Sequence, residues 1–164
     1  MLNINLNQNV HKIHQEEKGV IVETNDGTRW KGDKLICTLP AFAVSNIHWT
    51  PLLPIEQKTA YETLDYCRIA KTSVLFKERF WDEDFEMATD TLADFIYHST
   101  QNQKGTKGVL TSYAVGDRAY VLSNMNDDDK KREICKSLRI PFGSVDEKAE
   151  QVISYYWGDD PYTK

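Results

Sequence analysis

Arg68-Ile69-Ala70-Lys71-Thr72-Ser73-Val74-Leu75-Phe76-Lys77-Glu78-Arg79-Phe80-Trp81 reads as a β-strand of about nine residues that runs into an aromatic pair. Alternate residues of a strand face opposite sides, so Ile69, Lys71, Ser73 and Leu75 share one face, and Ala70, Thr72, Val74 and Phe76 share the other. Neither face is polar throughout, which predicts a central strand covered on both sides. Lys71 then falls on a largely apolar face. A charge in such a place must be paired, solvated by trapped water, or neutralised. On the strand alone two placements stay open for Lys71: a side chain that reaches out to the sheet rim, or one that faces a polar partner inside a site.

Working outward toward the N-terminus, Pro54 suits the first turn of a helix running to about residue 65, with Ile55, Ala60, Tyr61 and Leu64 available for burial. Before it, Ile47-His48-Trp49 reads as a short extended piece and residues 41–45 as one helical turn. Residues 9–38 read as a small antiparallel meander. Strands are expected at 10–14, 19–24, 28–31 and 34–38, the last one buried, and Asn25-Asp26-Gly27 supplies a hairpin turn. Toward the C-terminus, strands are expected at 86–89, 95–98 and 108–115, the last closed by Gly116-Asp117. Asn126 followed by Asp127, Asp128 and Asp129 marks a helix N-terminus, since carboxylates complement the positive end of the dipole. That helix carries Ile134, Cys135 and Leu138 inward and stops at Pro141. A calcium loop would need a turn glycine and a distal glutamate, and the aspartate run has neither. A short helix at 145–151 and a strand at 152–157 complete the pattern.

The composition is that of an ordinary globular chain, 27% charged and 40% hydrophobic over 164 residues, one domain or one domain with part of another. A net charge of −5 with no basic cluster argues against nucleic acid as the partner. No apolar run approaches the roughly 18 residues of a membrane span. Met1 is followed by no basic and apolar leader, so a cytoplasmic location is expected. Cys37, Cys67 and Cys135 each have apolar sequence neighbours and are expected to be buried free thiols.

Several kinds of chemistry lack their residues. No Gly-rich phosphate loop opens a helix, His11, His14, His48 and His98 have no metal-ligand spacing, and no serine lies in a Gly-x-Ser-x-Gly turn. Aromatic residues remain, with Tyr97, Tyr113 and Tyr155 all on expected strands. They are core-builders in one reading and the walls of a pocket for a small organic substrate in the other.

Four stretches, in order, carry a resemblance. The first is Val10-x-x-Ile13 with Gly19-Val20-x-Val22-x-Thr24-x-Asp26-Gly27 and Asp33-Lys34-Leu35-Ile36-Cys37-Thr38-Leu39-Pro40. The second is Ile47-x-Trp49-x-Pro51-x-Leu53-Pro54. The third is the opening strand with Lys71 ahead of Phe80-Trp81, and the fourth is Trp157-x-x-Asp160-Pro161-Tyr162. Together they resemble the middle of the flavin-dependent amine oxidases, the monoamine oxidase and L-amino acid oxidase family. Phe95-Ile96-Tyr97 and Gly108-Val109-Leu110-x-x-Tyr113 look closest to the amino-acid-oxidase branch.

The resemblance implies an α+β fold: a mixed, largely antiparallel sheet flanked by helices, the substrate-binding domain of the family, preceded by a small β-meander. Residues 1–40 correspond to the meander of the FAD-binding domain, and residues 41–164 to a substrate-binding domain cut short at its C-terminal end. It assigns Lys71 to a lysine that reaches the flavin N5 through a water, and Val10 to a backbone position beside the FAD adenine. Trp157 corresponds to a tryptophan packed near the flavin ring, and Tyr97 and Tyr113 to substrate-cavity aromatics. The implied reaction takes an amine or amino acid to an imine, with oxygen reduced to hydrogen peroxide. The family's opening Gly-x-Gly-x-x-Gly unit and closing flavin segment have no counterpart here, and Phe85-Glu86-Met87-Ala88 stands where a glycine pair is usual. The chain is therefore expected to bind FAD poorly by itself, to be inactive alone, and to self-associate through the face that would meet the missing FAD-binding domain. A related FAD-dependent oxidase or desaturase, and a non-catalytic α+β binding module, are the alternatives.

Overall fold

The computed structural model describes residues 3–161. The chain divides into two compact units, one up to Asp65 and one from Tyr66 onward. No helix among the described residues is long and apolar enough to cross a membrane.

In the first unit, β1 (Val10–Glu16), β2 (Gly19–Thr24) and β3 (Arg29–Gly32) form the expected meander, and β4 (His48–Thr50) joins it in parallel beside β1, giving the order β3-β2-β1-β4. The β2–β3 turn is held by Asp26, whose carboxylate accepts from the Thr24 hydroxyl at 2.6 Å and from the Thr28 amide at 3.0 Å, while Gly27 takes the left-handed conformation at φ 84°. These bonds, the Thr24 hydroxyl first and the Thr28 amide next, pull the Asp26 carboxyl down to about 2. Ile13, Val20 and Ile47 form the small core, with Trp49 packed on it and donating its indole N–H to the Val44 carbonyl at 3.1 Å. Two short helices complete the unit, α1 (Ala41–Ser45) and α2 (Ile55–Thr63).

Three expectations fail in and just after this unit. Residues 34–38 form no strand; they are exposed and irregular, and Ile36 is 87% accessible. A β-branched run becomes a strand only where a neighbour offers a ladder, and β3 stops at Gly32. No residue of α2 is buried, and Ile55 is 68% exposed. Cys37 and Cys67 are likewise exposed, and only Cys135 is buried. Apolar sequence neighbours placed these residues inside; the cluster of Ile13, Val20 and Ile47 is too small to receive those of the first unit, and Cys67 lies in the irregular stretch just ahead of residue 69 in the second.

The second unit is a five-stranded antiparallel sheet, made of β5 (Ile69–Phe76), β6 (Glu86–Ala88), β7 (Phe95–His98), β8 (Gly108–Val115) and β9 (Ala149–Tyr156) in the order β6-β7-β8-β5-β9. Two helices connect β8 to β9: α3 (Gly116–Ser123) and α4 (Asp127–Phe142). The α+β class and the antiparallel sheet are those expected. In α4 the Asn126 side chain accepts from the Asp129 amide at 2.9 Å, three aspartates occupy the first turn, and Ile134, Cys135 and Leu138 are buried. The helix runs one residue past Pro141. Helix α3 was not expected, since Gly116-Asp117 reads only as the end of the preceding strand, yet Ala119 and Leu122, three residues apart, bury one face of it against Ala70 and Ala114. The expected helix at 145–151 is a single 3-10 turn at Asp146–Lys148, after which β9 begins earlier than foreseen.

The main core lies between one face of the sheet and α4. It joins Val74, Phe76, Ile96 and Leu110 to Ile134, Leu138 and Val145. At its end Trp81 packs edge-on against Phe76, Phe80 and His98, with ring centroids 4.8 to 5.6 Å away. His98 is buried with both ring nitrogens engaged, one with the Glu83 carbonyl at 2.9 Å and one with the Thr100 hydroxyl at 2.8 Å.

Candidate active-site face

Strand β5 has a partner on each side, β8 and β9, so it is central in the ladder as expected. Its two faces are not alike. Ala70, Thr72, Val74 and Phe76 are buried toward the helices, whereas Lys71 is exposed and Ile69, Ser73 and Leu75 are half-buried. The expectation that both faces are covered is corrected: α3 and α4 pack on one side of the sheet, which leaves the Lys71 face open within this unit.

Register decides what surrounds Lys71. Residues directly opposite in an antiparallel pair share a face, with Cβ atoms about 5 Å apart. Lys71 stands opposite Tyr113 on β8 and Tyr155 on β9, and Tyr113 stands opposite Phe95 on β7. One row across four strands therefore reads Phe95, Tyr113, Lys71, Tyr155. The next row reads Tyr97, Thr111, Ser73, Ile153.

The lysine Nζ lies 5.5 Å from the Tyr113 ring centroid, within cation–π range, an interaction worth about 0.5–1 kcal/mol at an exposed site. Tyr97 stacks obliquely on Phe95, at 6.1 Å between centroids. In the second row, the Ser73 and Thr111 hydroxyls are 2.9 Å apart, and Ser99 donates to Thr111 at 2.6 Å. Beyond β9 a 3-10 turn, Trp157–Asp159, folds back so that the Trp157 ring meets Tyr155 edge-on at 4.9 Å. The Tyr155 hydroxyl donates to Asp160. That hydrogen bond, then burial and the carboxylate charge, raises the Tyr155 phenol above its ordinary range.

The structure thus brings Lys71, Tyr113 and Tyr97 onto one face. Trp157 adjoins it through Tyr155. Val10 belongs to the other unit, where it opens β1 opposite Thr24 and packs on the Ile13 core. Tyr162 of the terminal motif lies outside the described residues. Sequence reading placed Ser73 on the face of Lys71 but missed Phe95, Thr111 and Tyr155 as its cross-strand neighbours, and the bond from Tyr155 to Asp160. Tyr155 had a usable signal, since it lies two residues before Trp157 on an alternating strand; Phe95 had none, because its place depends on a register that spans three strands.

The profile of the family described as flavin containing amine oxidoreductase matches residues 2–164. The chain belongs to that family. Among its relatives, it is 27% identical over 168 residues to lysine-specific histone demethylase 1 homolog 1 of Oryza sativa subsp. japonica, covering 95% of this chain and 20% of the relative. It is 26% identical over 171 residues to the L-amino-acid oxidase of Siganus canaliculatus, covering 96% and 32%. The two identities are too close to favour one branch of the family. In fold it is similar to cyclohexylamine oxidase from Brevibacterium oxydans IH-35A, with a TM-score of 0.83 at 16% identity, over 96% of this chain and 36% of that one. The chain spans about a fifth to a third of the length of these curated relatives. The family is described by a flavin group and by amine oxidoreductase chemistry.

The open face fits the ring end of a flavin in its chemistry. A lysine ammonium offers hydrogen-bond donors to polar ring atoms, and tyrosine, phenylalanine and tryptophan rings offer packing surface to a flat heterocycle.

Proposed function

We propose that this chain is the substrate-binding portion of an FAD-dependent oxidase acting on a small amine or amino acid, with the open face of the β5–β9 sheet turned toward the flavin and substrate. The observation that carries this reading is the placement of Lys71. It is flanked in register by two tyrosines, its ammonium lies over one ring, and it makes no ion pair among the described residues. A cation left without a carboxylate, on a face of aromatic rings, is free to give its remaining hydrogen bonds outward to a water or an acceptor.

FAD, when bound, supplies the two-electron oxidation of an amine to an imine, and oxygen takes up those electrons to give hydrogen peroxide. Lys71 holds and orients a water toward the reacting face. Tyr113 and Tyr97 pack against the apolar body of the substrate, and Trp157 presents its ring at the edge of the same face. Val10, at the start of β1, is the backbone position assigned to the adenine end. The dinucleotide cradle is supplied by sequence outside these 164 residues, so the chain by itself is inactive.

The test is to capture the natural protein with an antibody raised against this chain. Its visible flavin absorbance and its peroxide release are then measured on a panel of primary amines, polyamines and L-amino acids. The reading expects a flavoprotein with amine-dependent peroxide formation. A flavin-free protein that releases no peroxide with any of the panel overturns it.

A further inference from the structure

Tyr155 is not part of the reaction proposed above, yet three separate features meet on its side chain. It stands directly opposite Lys71 across the β5–β9 ladder. Its ring packs edge-on against Trp157, at 4.9 Å and an interplanar angle of 74°. Its hydroxyl donates to the Asp160 carboxylate, at the end of the turn that carries Trp157. An exposed tyrosine on an edge strand ordinarily turns freely at its side chain. Here the bond at the phenol tip and the contact along the ring limit that freedom, although the residue is 47% accessible.

Trp157 is 45% exposed and sits in a three-residue turn, while the ammonium of Lys71 is steered by the Tyr113 ring. Tyr113 approaches Lys71 from β8, and Tyr155 approaches it from β9. Lys71 therefore has an aromatic residue as its cross-strand neighbour on each side, and the one on β9 is packed against the tryptophan.

The geometry points to Tyr155 as the positioning residue of this face: its ring, anchored at the hydroxyl by Asp160, sets Lys71 and Trp157 in one relative orientation. This rests on the reading of Lys71 and Trp157 as the residues that meet the flavin. Tyr155 touches no reacting atom; it acts through these two neighbours. The ring fixes the side of Lys71 that Tyr113 leaves open, and the hydroxyl bond fixes the turn and with it the Trp157 indole.

The two parts can be separated by substitution. Tyr155→Phe keeps the ring and removes the bond to Asp160, Tyr155→Leu removes both, and Asp160→Ala removes the acceptor. The chain is labelled with fluorotryptophan and, on its lysines, with carbon-13 methyl groups. The Trp157, Trp81 and Lys71 signals are assigned by Trp157→Phe, Trp81→Phe and Lys71→Arg. Tyr155→Leu is expected to move both the Lys71 and the Trp157 signals by more than a line width, while the Trp81 signal, buried in the core, stays in place. Tyr155→Phe is expected to restore the Lys71 signal and leave Trp157 displaced. Adding Tyr155→Phe to Asp160→Ala is expected to displace Trp157 no further.

A Tyr155→Leu chain in which Lys71 or Trp157 keeps its unaltered signal overturns the inference. So does a double variant whose Trp157 shift is the sum of the two single shifts. If Tyr155→Leu disturbs Trp81 and so the fold, the Tyr155→Phe and Asp160→Ala pair decides by that additivity alone. All these signals are read without flavin. Titrating lumiflavin into the unaltered chain tests the earlier reading separately. If neither Lys71 nor Trp157 responds, their flavin-facing role fails while the positioning by Tyr155 is judged by the variants.

Discussion

Replacing Gly108 by alanine puts the packing at the end of the main core to a direct test. Gly108 opens β8 opposite Phe76. A Cβ at this position would stand 2.6 Å from Arg79 Cγ and 2.7 Å from Trp81 Cζ2, closer than carbon atoms tolerate. Neither neighbour can step aside cheaply. The Arg79 guanidinium donates to the carbonyls of Lys107 at 3.0 Å, Thr100 at 3.2 Å and Gln103 at 2.8 Å. The Trp81 ring is wedged among Phe76, Phe80 and His98. Overpacking of this kind costs about 1–3 kcal/mol, and the stiffer unfolded chain of an alanine variant returns about 0.4–1 kcal/mol. The net expectation is a loss of about 1–2 kcal/mol. In a urea titration with a slope of about 2 kcal/mol per molar, that lowers the midpoint by about 0.5–1 M. The fluorine signal of Trp81 in a fluorotryptophan-labelled chain, assigned by Trp81→Phe, follows the second unit specifically, whereas bulk fluorescence would mix in Trp30 and Trp49 of the first. An unchanged or raised midpoint would refute the reasoning, because it would mean that Trp81 and Arg79 are free to move.

Three further outcomes follow from the same structure. Lys71→Met keeps the length of the side chain and is expected to lower amine-dependent peroxide release by the natural protein roughly 10²-fold; the thermal midpoint should barely change, because the residue is exposed. The Asp26 carboxyl, held near 2 against an ordinary 3.8, supports the folded state above about pH 3.8 and loses that support as pH falls through 2. Asp26→Asn should therefore flatten the acid limb of stability against pH over that window, as followed by circular dichroism. Cys135 is buried and its thiol is pushed up to about 11, by burial first and by Asp146 next, whereas Cys37 and Cys67 are exposed. Maleimide at neutral pH should label the latter two and spare Cys135, counted by mass, until denaturant is added.

How much was legible in the sequence differs between the units for a physical reason. Strands β5, β7 and β8 and helix α4 could be read because local pattern and tertiary burial agree there: the alternation of β5 matches its buried face, and the Asn126 cap matches its bond to the Asp129 amide. Residues 34–38 and α2 misled because their apolar residues announce burial that no described neighbour provides. Helix α3 escaped because two small buried contacts, Ala119 and Leu122, give too weak a period in eight residues. At the site, alternation along β5 placed Lys71 with Ser73, and the resemblance added Tyr97, Tyr113 and Trp157. The rows that join them are a property of pairing between strands distant in sequence, and no single segment carries it.

That dependence has a consequence for folding and for tolerance to insertion. Thr72 and Ser154, whose hydroxyls lie 3.0 Å apart, are 82 residues apart in the chain, and this β5–β9 seam is the one that delivers Tyr155 to Lys71. Closing so long a loop is slow and late. A slip of one residue at the seam would turn Tyr155 toward the helices and bring Tyr156 or Ser154 beside the lysine. The outermost strand thus acts as a timing element. Lys71 and Tyr113 can meet as soon as β5 and β8 zip together, but the face gains its second tyrosine and its tryptophan only when the last strand docks, so fraying at that one edge would disarm it while the core stays folded.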